Sequence, residues 1–490
     1  MLPSLYPTLY LGCANAIISS EIMRIGLFTD TYRPSINGIV FVVETLKKHL
    51  EEQGHEVYIF CPAKTIRPSH DLEFADDNIV RFPSIKGAFF DDYDTSIFFA
   101  PRVVQQIREL KLDVVHVFTP SQVGLVGVQA AVKNDTPFIM QHSTDLYEFV
   151  EHYPVVLPGV LALIGIVFPF TVKLQGKDVR EILKLYRPRR GVTQWNKDII
   201  EKAITILYSK ADAVIGLSRK SVEQLESWQD EEKYSYKVEL LPNGVDALPK
   251  PTAAELKAFK AQHGIADSDE VFGFVGRIAA EKNLDILLPV IEKVAKNRPN
   301  AKLVFVGDFE YRETLEEKAR ASKASDRIVF TGALPRDELG VAYAAMDVFV
   351  FPSLKDTQGW VLHEAAHAGL PIVIIDKKLS EVVHDGVNGL HANNSASDVA
   401  KKVELLFADT VKRSEFSKES KRIARIYSEQ RQIKDLIKLY ERVVEKRNPA
   451  GPRRIRQMRW QAARIKEKAA RVWRRSEERR VGKECRSRWS

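Results

Sequence analysis

Two carboxylates frame a short polar loop in the second half of the chain. Asp356 follows an apolar run at residues 348–353, typical of a buried parallel strand, and Glu364 lies eight positions later in a helix predicted at 360–368. A helix start offers free N–H groups and partial positive charge, which favour an anion. Carboxylates bind phosphate poorly but accept hydrogen bonds from sugar hydroxyls. The loop therefore predicts a ligand with both phosphate and hydroxyls, namely a sugar nucleotide.

Two cations in the middle of the chain are suited to hold the phosphate. Arg277 and Lys282 follow Gly276, which ends a strand predicted at residues 271–275. We predict strand, glycine turn and helix, so that both side chains converge on one anion. Arginine would act as a planar fork and lysine as a point charge.

The first half of the chain places two more polar positions after predicted strands. Asn37 and Gly38 follow the strand at residues 24–28, and the absent side chain of Gly38 lets backbone N–H groups approach a phosphate. His142 follows the strand at 137–141; a lone histidine there is more often structural, so its assignment depends on the other motifs. Parallel sheets bind ligands at the carboxyl ends of their strands, which predicts one shared cleft.

The elements around these motifs alternate between strand and helix. Units of this length predict an α/β fold with parallel sheets covered on both faces. With 490 residues, the chain exceeds what one core usually accommodates, so at least two domains are expected.

Together the motifs resemble the retaining family 4 glycosyltransferases of the GT-B fold. The resemblance runs from about Met23 to about Lys446 and includes the two acids with seven residues between them, the Gly276–Lys282 turn and the interdomain hinge at 240–246. It departs at Asp356, where the family usually has glutamate. The Asp-Thr-Gln-Gly form is most similar to the branch that glycosylates membrane lipids, such as diacylglycerol glucosyltransferases.

The resemblance implies a role for each motif. Arg277 and Lys282 would stabilise the leaving diphosphate without a metal or other cofactor. Asp356 would orient the donor sugar, His142 would line its other face, and Glu364 would accept from the ribose hydroxyls. Retention would follow from front-face attack, with the leaving phosphate as base. The predicted catalytic residues are His142, Arg277, Lys282 and Asp356. The predicted donor-binding residues are Asn37, Gly38, Gly276, Arg277, Lys282, Asp356, Gln358, Gly359, Trp360 and Glu364.

The resemblance also implies the domain order. Residues 23–246 would form an acceptor-binding Rossmann-like domain and 247–428 a second one that binds the nucleotide sugar. A helix at 429–448 would return to the first domain. Residues 1–22 lack the basic segment of a secretory signal and are expected to be an unstructured extension before a start at Met23. Residues 449–490 form a basic tail whose end resembles translated vector sequence.

Composition and charge fit a cytoplasmic protein. The chain is 45% hydrophobic and 28% charged, as in ordinary globular proteins. Cys13, Cys61 and Cys485 form no disulfide framework or metal-binding spacing. From Gly451 onward there are fifteen Lys and Arg against four Asp and Glu, a charge of +11, so residues 1–450 carry −3 and the net charge of +8 arises from the tail.

Two stretches indicate contact with a membrane. Residues 155–172 carry no charge and formally reach the length of a span, but Pro and Gly interrupt them, and a span would separate His142 from the second half. They are expected to form either a hydrophobic flap or a core helix. Residues 455–473 have a basic amphipathic pattern suited to an anionic membrane surface. Nucleic acid is not expected as a partner, because no recognition motif accompanies the basic residues. We predict peripheral association with the inner face of the membrane.

The sequence predicts a retaining, metal-independent transferase that moves a hexose, UDP-linked in the favoured case, to a lipid such as diacylglycerol. Alternatives of the same fold would use GDP-mannose or a soluble acceptor. An alternative of another class is a non-catalytic membrane-binding module, for which Asp356 is the one supporting departure.

Overall fold

A parallel sheet forms the centre of each half of the protein in the computed structural model. The structure describes residues 22–35, 37–65, 76, 78–90, 93–96, 101–143, 171–172, 174–185, 192–230 and 232–447. The predictions for residues 1–21, most of 155–172 and the tail at 449–490 therefore lie outside the described residues.

The first sheet has seven strands in the order β3-β2-β1-β6-β7-β8-β9, and every neighbouring pair is parallel. Its strands are β1 (Arg24–Phe28), β2 (Glu56–Pro62), β3 (Ile79–Phe82), β6 (Val114–Val117), β7 (Phe138–His142), β8 (Ala213–Gly216) and β9 (Val238–Leu240). Strands β4 (Ser84–Phe90) and β5 (Tyr93–Ser96) pair antiparallel beside it. Among the described residues of this half, the helices are α1 (Gly38–Glu52), α2 (Pro101–Leu110), α3 (Gln122–Asn134), α4 (Gly176–Leu185), α5 (Val192–Tyr208) and α6 (Arg219–Ser227).

The second sheet has six parallel strands in the order β12-β11-β10-β13-β14-β15. The strands are β10 (Glu270–Val275), β11 (Ala301–Val306), β12 (Ile328–Gly332), β13 (Val348–Phe351), β14 (Ile372–Ile374) and β15 (Gly389–His391). The helices are α7 (Ala253–Gln262), α8 (Leu287–Asn297), α9 (Arg312–Arg320), α10 (Leu339–Ala344), α11 (Trp360–Ala368), α12 (Ala396–Ala408), α13 (Thr410–Ala424) and α14 (Glu429–Arg447).

Continuous apolar strands produce these sheets. All four residues of β13, Val-Phe-Val-Phe, are buried, because helices cover both faces of a parallel sheet. The predicted architecture of two doubly wound parallel sheets is confirmed. In both sheets the order reverses beside the first strand, and this reversal is where such folds bind ligands.

The chain passes between the two sheets twice, and the two crossings touch. A Cβ on Gly244, in the first crossing, would lie 2.5 Å from the Cα of Glu429 in the second, so only glycine permits this approach. The backbone N–H of Gly244 donates to Gln432 (2.8 Å), and that of Val245 donates to the carbonyl of Tyr427 (3.0 Å). The hinge therefore consists of two chain segments that pack directly against each other.

Helix α14 returns to the first sheet, as predicted. The hydroxyl of Tyr440 lies 2.7 Å from Nδ1 of His116 in β6, and both side chains are fully buried. Burial lowers the pKa of His116 to about 3, although a hydrogen bond with Gln141 acts to raise it. The ring is therefore neutral at pH 7. Further along α14, Arg447 pairs with Asp135 and Asp212 of the first domain.

A histidine joins α14 to the end of α1. His49 lies 2.8 Å from Glu52 through Nδ1 and 2.9 Å from Glu429 through Nε2. Burial acts to lower the pKa of His49, but hydrogen bonds and charges from the two glutamates raise it above its usual value. The imidazolium therefore stabilises the fold below the unfolded pKa of about 6.5, and this stabilisation is lost as the pH rises through the folded-state pKa.

We expect His49→Gln to reduce the difference in unfolding midpoint between about pH 6 and about pH 8, because the variant cannot gain the charge. Urea unfolding followed by circular dichroism measures this difference. Glu429→Gln removes one of the two carboxylates and should reduce the difference partially. An unchanged pH dependence in His49→Gln would contradict this role.

Candidate active site

The acidic loop connects β13 to α11 as the sequence predicts. Gly359 has φ 67°, in the left-handed region, and a Cβ there would meet Leu362 at 2.8 Å, so this turn requires glycine. Helix α11 begins immediately afterwards at Trp360. Asp356 therefore lies in the loop and Glu364 lies in the second turn of the helix.

Asp356 and Lys282 form an ion pair across the second domain. Lys282 Nζ lies 2.6 Å from Asp356 Oδ1, and the two side chains are only 13% and 18% exposed. Burial acts to raise the pKa of Asp356, but the charge and hydrogen bond of Lys282 hold it below its usual value. The carboxylate is therefore ionised at pH 7. Its other oxygen, Oδ2, is buried without a hydrogen-bond partner in the described part of the chain.

Arg277, five residues before Lys282, is more exposed, with 54% of its side-chain surface accessible. Its guanidinium carbon is 4.5 Å from the centre of the Phe309 ring, and its Nη2 donates to Glu281 (3.3 Å). Its charge also contributes to the low pKa of Asp356. The turn that carries it begins at Gly276, whose φ of 144° is readily adopted only by glycine.

The helix predicted after the glycine turn begins later than expected. The chain forms two short 3₁₀ turns, Ala280–Lys282 and Leu284–Ile286, and the α-helix begins only at Leu287. Asn283, at φ 58°, separates the two turns. An anion at Lys282 would therefore be attracted by the ammonium charge, without the help of an adjacent α-helix N-terminus.

Glu364 is buried and held by two donors that sequence reasoning missed. Arg336 Nη1 donates to Oε1 (2.7 Å) and the Tyr343 hydroxyl donates to Oε2 (2.9 Å). A carboxylate oxygen accepts more than one hydrogen bond, so each can still bind a hydroxyl. The sequence offered one indication that Arg336 lies near the site, namely that it follows the carboxyl end of β12.

The amide of Gln358 binds the hinge, although the sequence assigned it to the donor. Its Nε2 donates to the carbonyl of Asn243 (2.8 Å) and its Oε1 accepts from the Asn243 N–H (3.0 Å). The Nε2 also lies 3.2 Å from His363. Gln358 is thus engaged within the protein and fixes the loop rather than presenting free groups to a ligand.

The start of α1 faces the start of α11 across the cleft. Asn37 caps α1 by accepting from the N–H groups of Ile39 and Val40, both at 3.1 Å. A Cβ on Gly38 would lie 3.7 Å from the Trp360 ring, so the two helix starts are close neighbours. The indole Nε1 of Trp360 is buried with no hydrogen-bond partner among the described residues.

His142 ends β7 inside the first domain. The ring is buried, its Nδ1 lies 3.1 Å from the Tyr208 hydroxyl, and it packs edge-on against Trp228. The next residue, Ser143, accepts a hydrogen bond through its carbonyl from Thr357 (3.2 Å). The structure therefore brings this strand end against the acidic loop.

Taken together, the cleft combines cations, carboxylates and two helix starts. Such a set is suited to a diphosphate bearing hydroxyl-rich groups, because the cations and N–H groups bind phosphate while the carboxylates bind hydroxyls.

Comparison with known protein families gives two matches. Residues 36–247 match the family described as Glycosyltransferase Family 4, and residues 256–423 match Glycosyl transferases group 1. The first match covers most of the half that contains the first sheet, and the second match covers most of the half that contains the second sheet.

Three relatives illustrate the similarity. The alpha-monoglucosyldiacylglycerol synthase of Acholeplasma laidlawii is 28% identical over 385 residues, which cover 76% of this chain and 85% of that protein. The protein of the same name from Streptococcus pneumoniae is 28% identical over 357 residues, 72% of this chain and 70% of that protein. A GDP-mannose-dependent alpha-mannosyltransferase of Mycobacterium tuberculosis is 26% identical over 356 residues, 72% of this chain and 79% of that protein.

Solved structures share the fold. Sucrose-phosphate synthase from Thermosynechococcus elongatus aligns with a TM-score of 0.60 and 16% identity over 86% of this chain and 99% of that chain. A glycosyltransferase from Rickettsia africae aligns with a TM-score of 0.61 and 14% identity over 86% and 99%. The fold and the matched families define a GT-B glycosyltransferase. Within that class, the chain belongs to family 4.

We expect Lys282→Met to lower turnover by on the order of 10²-fold or more, because a buried cation at a developing anion is lost. The acidic limb of the pH–rate profile should also move to higher pH, since Asp356 keeps its burial and loses the neighbouring charge. Initial rates with the donor that the wild type uses measure both effects. Lys260→Met, which breaks the exposed pair with Asp267, is the matched control and should leave the profile unchanged. A wild-type profile in Lys282→Met would refute the assignment.

Proposed function

We propose that this glycosyltransferase moves a hexose from a nucleotide sugar, with UDP favoured, to a hydroxyl of a membrane lipid such as diacylglycerol, with retention of configuration. The observation that carries the proposal is the buried Lys282–Asp356 pair, with Arg277 close enough for its charge to lower the pKa of Asp356. Lys282 would contact both Asp356, which is proposed to bind the donor sugar, and the diphosphate that leaves that sugar.

The proposed reaction needs stabilisation of one departing anion. The bond between the sugar C1 and the diphosphate oxygen breaks, the acceptor oxygen bonds to C1 from the same face, and the acceptor proton passes to the leaving phosphate. Arg277 and Lys282 stabilise the negative charge that develops, which is the task a metal performs elsewhere. Metal independence is part of the proposal.

The donor sugar and nucleoside are held by the second domain. Asp356 Oδ2, which is buried and has no hydrogen-bond partner among the described residues, would accept from a sugar hydroxyl. Glu364 accepts from the ribose hydroxyls in addition to its two protein donors. Asn37, Gly38 and Trp360 contribute the helix starts on either side of the diphosphate.

The lipid acceptor rests on two kinds of support. The names of two relatives specify a glucosyldiacylglycerol product, whereas the third names GDP-mannose, so the nucleotide is the less constrained part of the proposal.

The test is to incubate the protein with UDP- and GDP-sugars and a lipid extract, and to identify the product and its anomeric form. A UDP-hexose should give an α-linked glycolipid without added metal. Transfer only to soluble acceptors, or none with any donor, would refute the proposal.

The exposed surface of helix α4 is the second kind of support for a lipid acceptor. Asp178 and Ile182 anchor the helix inward, and Asp178 accepts from Lys210 (2.9 Å) and the Tyr234 hydroxyl (2.9 Å). Val179 and Leu183, one turn apart, point outward and are 44% and 63% exposed. The exposed basic residues beside them are Lys177, Arg180 and Lys184.

Exposed apolar side chains among basic ones fit an anionic membrane surface, because burial and charge act together there. In sequence, three residues separate the apolar residues 155–172 from α4, which begins at Gly176. Within the described residues, no helix is long and apolar enough to cross a membrane. We therefore propose peripheral attachment to the cytoplasmic leaflet, to which the basic tail after Pro449 adds charge.

We expect salt-sensitive binding to vesicles that contain anionic lipid, since the Debye length falls from about 10 Å at 0.1 M salt to about 3 Å at 1 M. Replacing both Val179 and Leu183 with Ser should weaken vesicle binding by about tenfold through lost apolar burial. Sedimentation with vesicles measures this. Val411→Ser, at a residue 67% exposed in the second domain, is the matched control and should bind as the wild type does.

Truncation after Pro449 should weaken vesicle binding further while leaving turnover of a detergent-solubilised acceptor intact. Vesicle binding that is unaffected by all of these changes would contradict the membrane assignment without bearing on transfer itself.

A further inference from the structure

Arg336 joins the two domains across the cleft. Its guanidinium carbon lies 5.4 Å from the ring centre of Phe41, in α1 of the first domain, and 5.2 Å from that of Trp360, in α11 of the second. The two rings meet edge to face with their centres 6.3 Å apart. The three side chains thus form one cluster of two aromatic faces and a cation.

The same guanidinium also holds the carboxylate of Glu364, at 2.7 Å. Glu364 is only 3% exposed, whereas the side chain of Arg336 is 35% exposed. One arginine therefore touches an aromatic ring of the first domain and a buried carboxylate of the second. Arginine is suited to this double role because its planar cation stacks on rings while its N–H groups donate at the edge.

We propose that Arg336 is a positioning residue that couples closure of the cleft to the orientation of Glu364, and through it to binding of the nucleoside. The proposal rests on the ribose role of Glu364 proposed above. When the domains are together, Phe41 covers one side of the guanidinium and confines it to the position from which it donates to Glu364. When they separate, that cover is lost and the arginine is free to leave the carboxylate.

The coupling follows from shared contacts. The Arg336–Glu364 bond lies within the second domain, but the Arg336–Phe41 contact exists only while the domains meet. A nucleoside that needs an ordered Glu364 therefore binds more tightly to the closed arrangement, and binding favours closure by the same factor.

The protein contains its own control. Arg33 lies over the same Phe41 ring, with its guanidinium carbon at 5.4 Å, but its fork binds Glu44 of the first domain at 2.7 and 2.8 Å. Arg33→Lys thus alters a cation on the same ring without altering Glu364.

The experiment measures binding of uridine diphosphate and guanosine diphosphate by calorimetry, together with donor KM and kcat, for the wild type, Arg336→Lys, Phe41→Leu, their double variant and Arg33→Lys. Lysine keeps the charge but loses the planar face, and leucine keeps the apolar bulk but loses the ring. Melting temperatures exclude a general loss of folding.

We expect Arg336→Lys to raise the nucleotide Kd and donor KM by about tenfold, with kcat changed less, since the contact acts on nucleoside binding. Phe41→Leu should raise them in the same direction, and the double variant should be no weaker than Arg336→Lys alone, because both changes remove one shared contact. Arg33→Lys should leave Kd and KM unchanged.

Three results would overturn the inference: wild-type Kd and KM in Arg336→Lys, additive effects in the double variant, or an equal effect from Arg33→Lys. Failure of the wild type to bind either nucleotide would overturn the proposed function as well. Binding by the wild type with an unchanged Arg336→Lys would overturn the coupling alone.

Discussion

The paired hydrogen bonds between Gln358 and the backbone of Asn243 hold the acidic loop against the hinge. Asn243 is also reached by Gln432 Nε2 (3.1 Å) from α14 and by Gln141 Nε2 (3.3 Å) from the end of β7, both at its side-chain oxygen. One hinge residue thus connects the loop, the returning helix and the first sheet. Buried networks of this kind are specific only when every member is satisfied, so the loop position is set by the same contacts that set the domain arrangement.

The buried Lys282–Asp356 pair contributes little to stability. Desolvating Lys282 and Asp356 costs free energy that their mutual attraction only partly offsets, and a buried ion pair adds little net stability. What the pair provides is an ordered ammonium and an ionised carboxylate in a fixed relation before any ligand arrives. Preorganised charge of this kind is what stabilises a developing anion most effectively.

Sequence patterns predicted the architecture because long apolar strands and alternating helices leave few topologies, and they located the acidic loop because Gly359 and the following helix formers are local signals. They did not reveal contacts with residues that are distant in sequence. Gln358 was predicted to bind the donor, and nothing near it in sequence indicates the hydrogen bonds of its side chain to Asn243, 115 residues away.

Two other differences have separate origins. Arg336 and Tyr343 were missed because only the folded sheet brings them to Glu364. The helix predicted after Gly276 gives way to 3₁₀ turns, because Asn283 adopts a left-handed conformation that interrupts it. Amino-acid composition does not reveal that a single residue adopts a left-handed backbone conformation.

The buried contact between His116 and Tyr440 has a consequence for synthesis of the chain. The first sheet is complete in sequence by residue 240, yet its β6 histidine is covered by a residue 324 positions later. At roughly 5–20 residues per second, a ribosome needs on the order of 15–65 s to traverse that separation. After the sheet is complete, the surface that α14 will cover stays exposed until that helix has been synthesised. The first half of the chain to emerge is therefore finished only when the last of the described helices has been made.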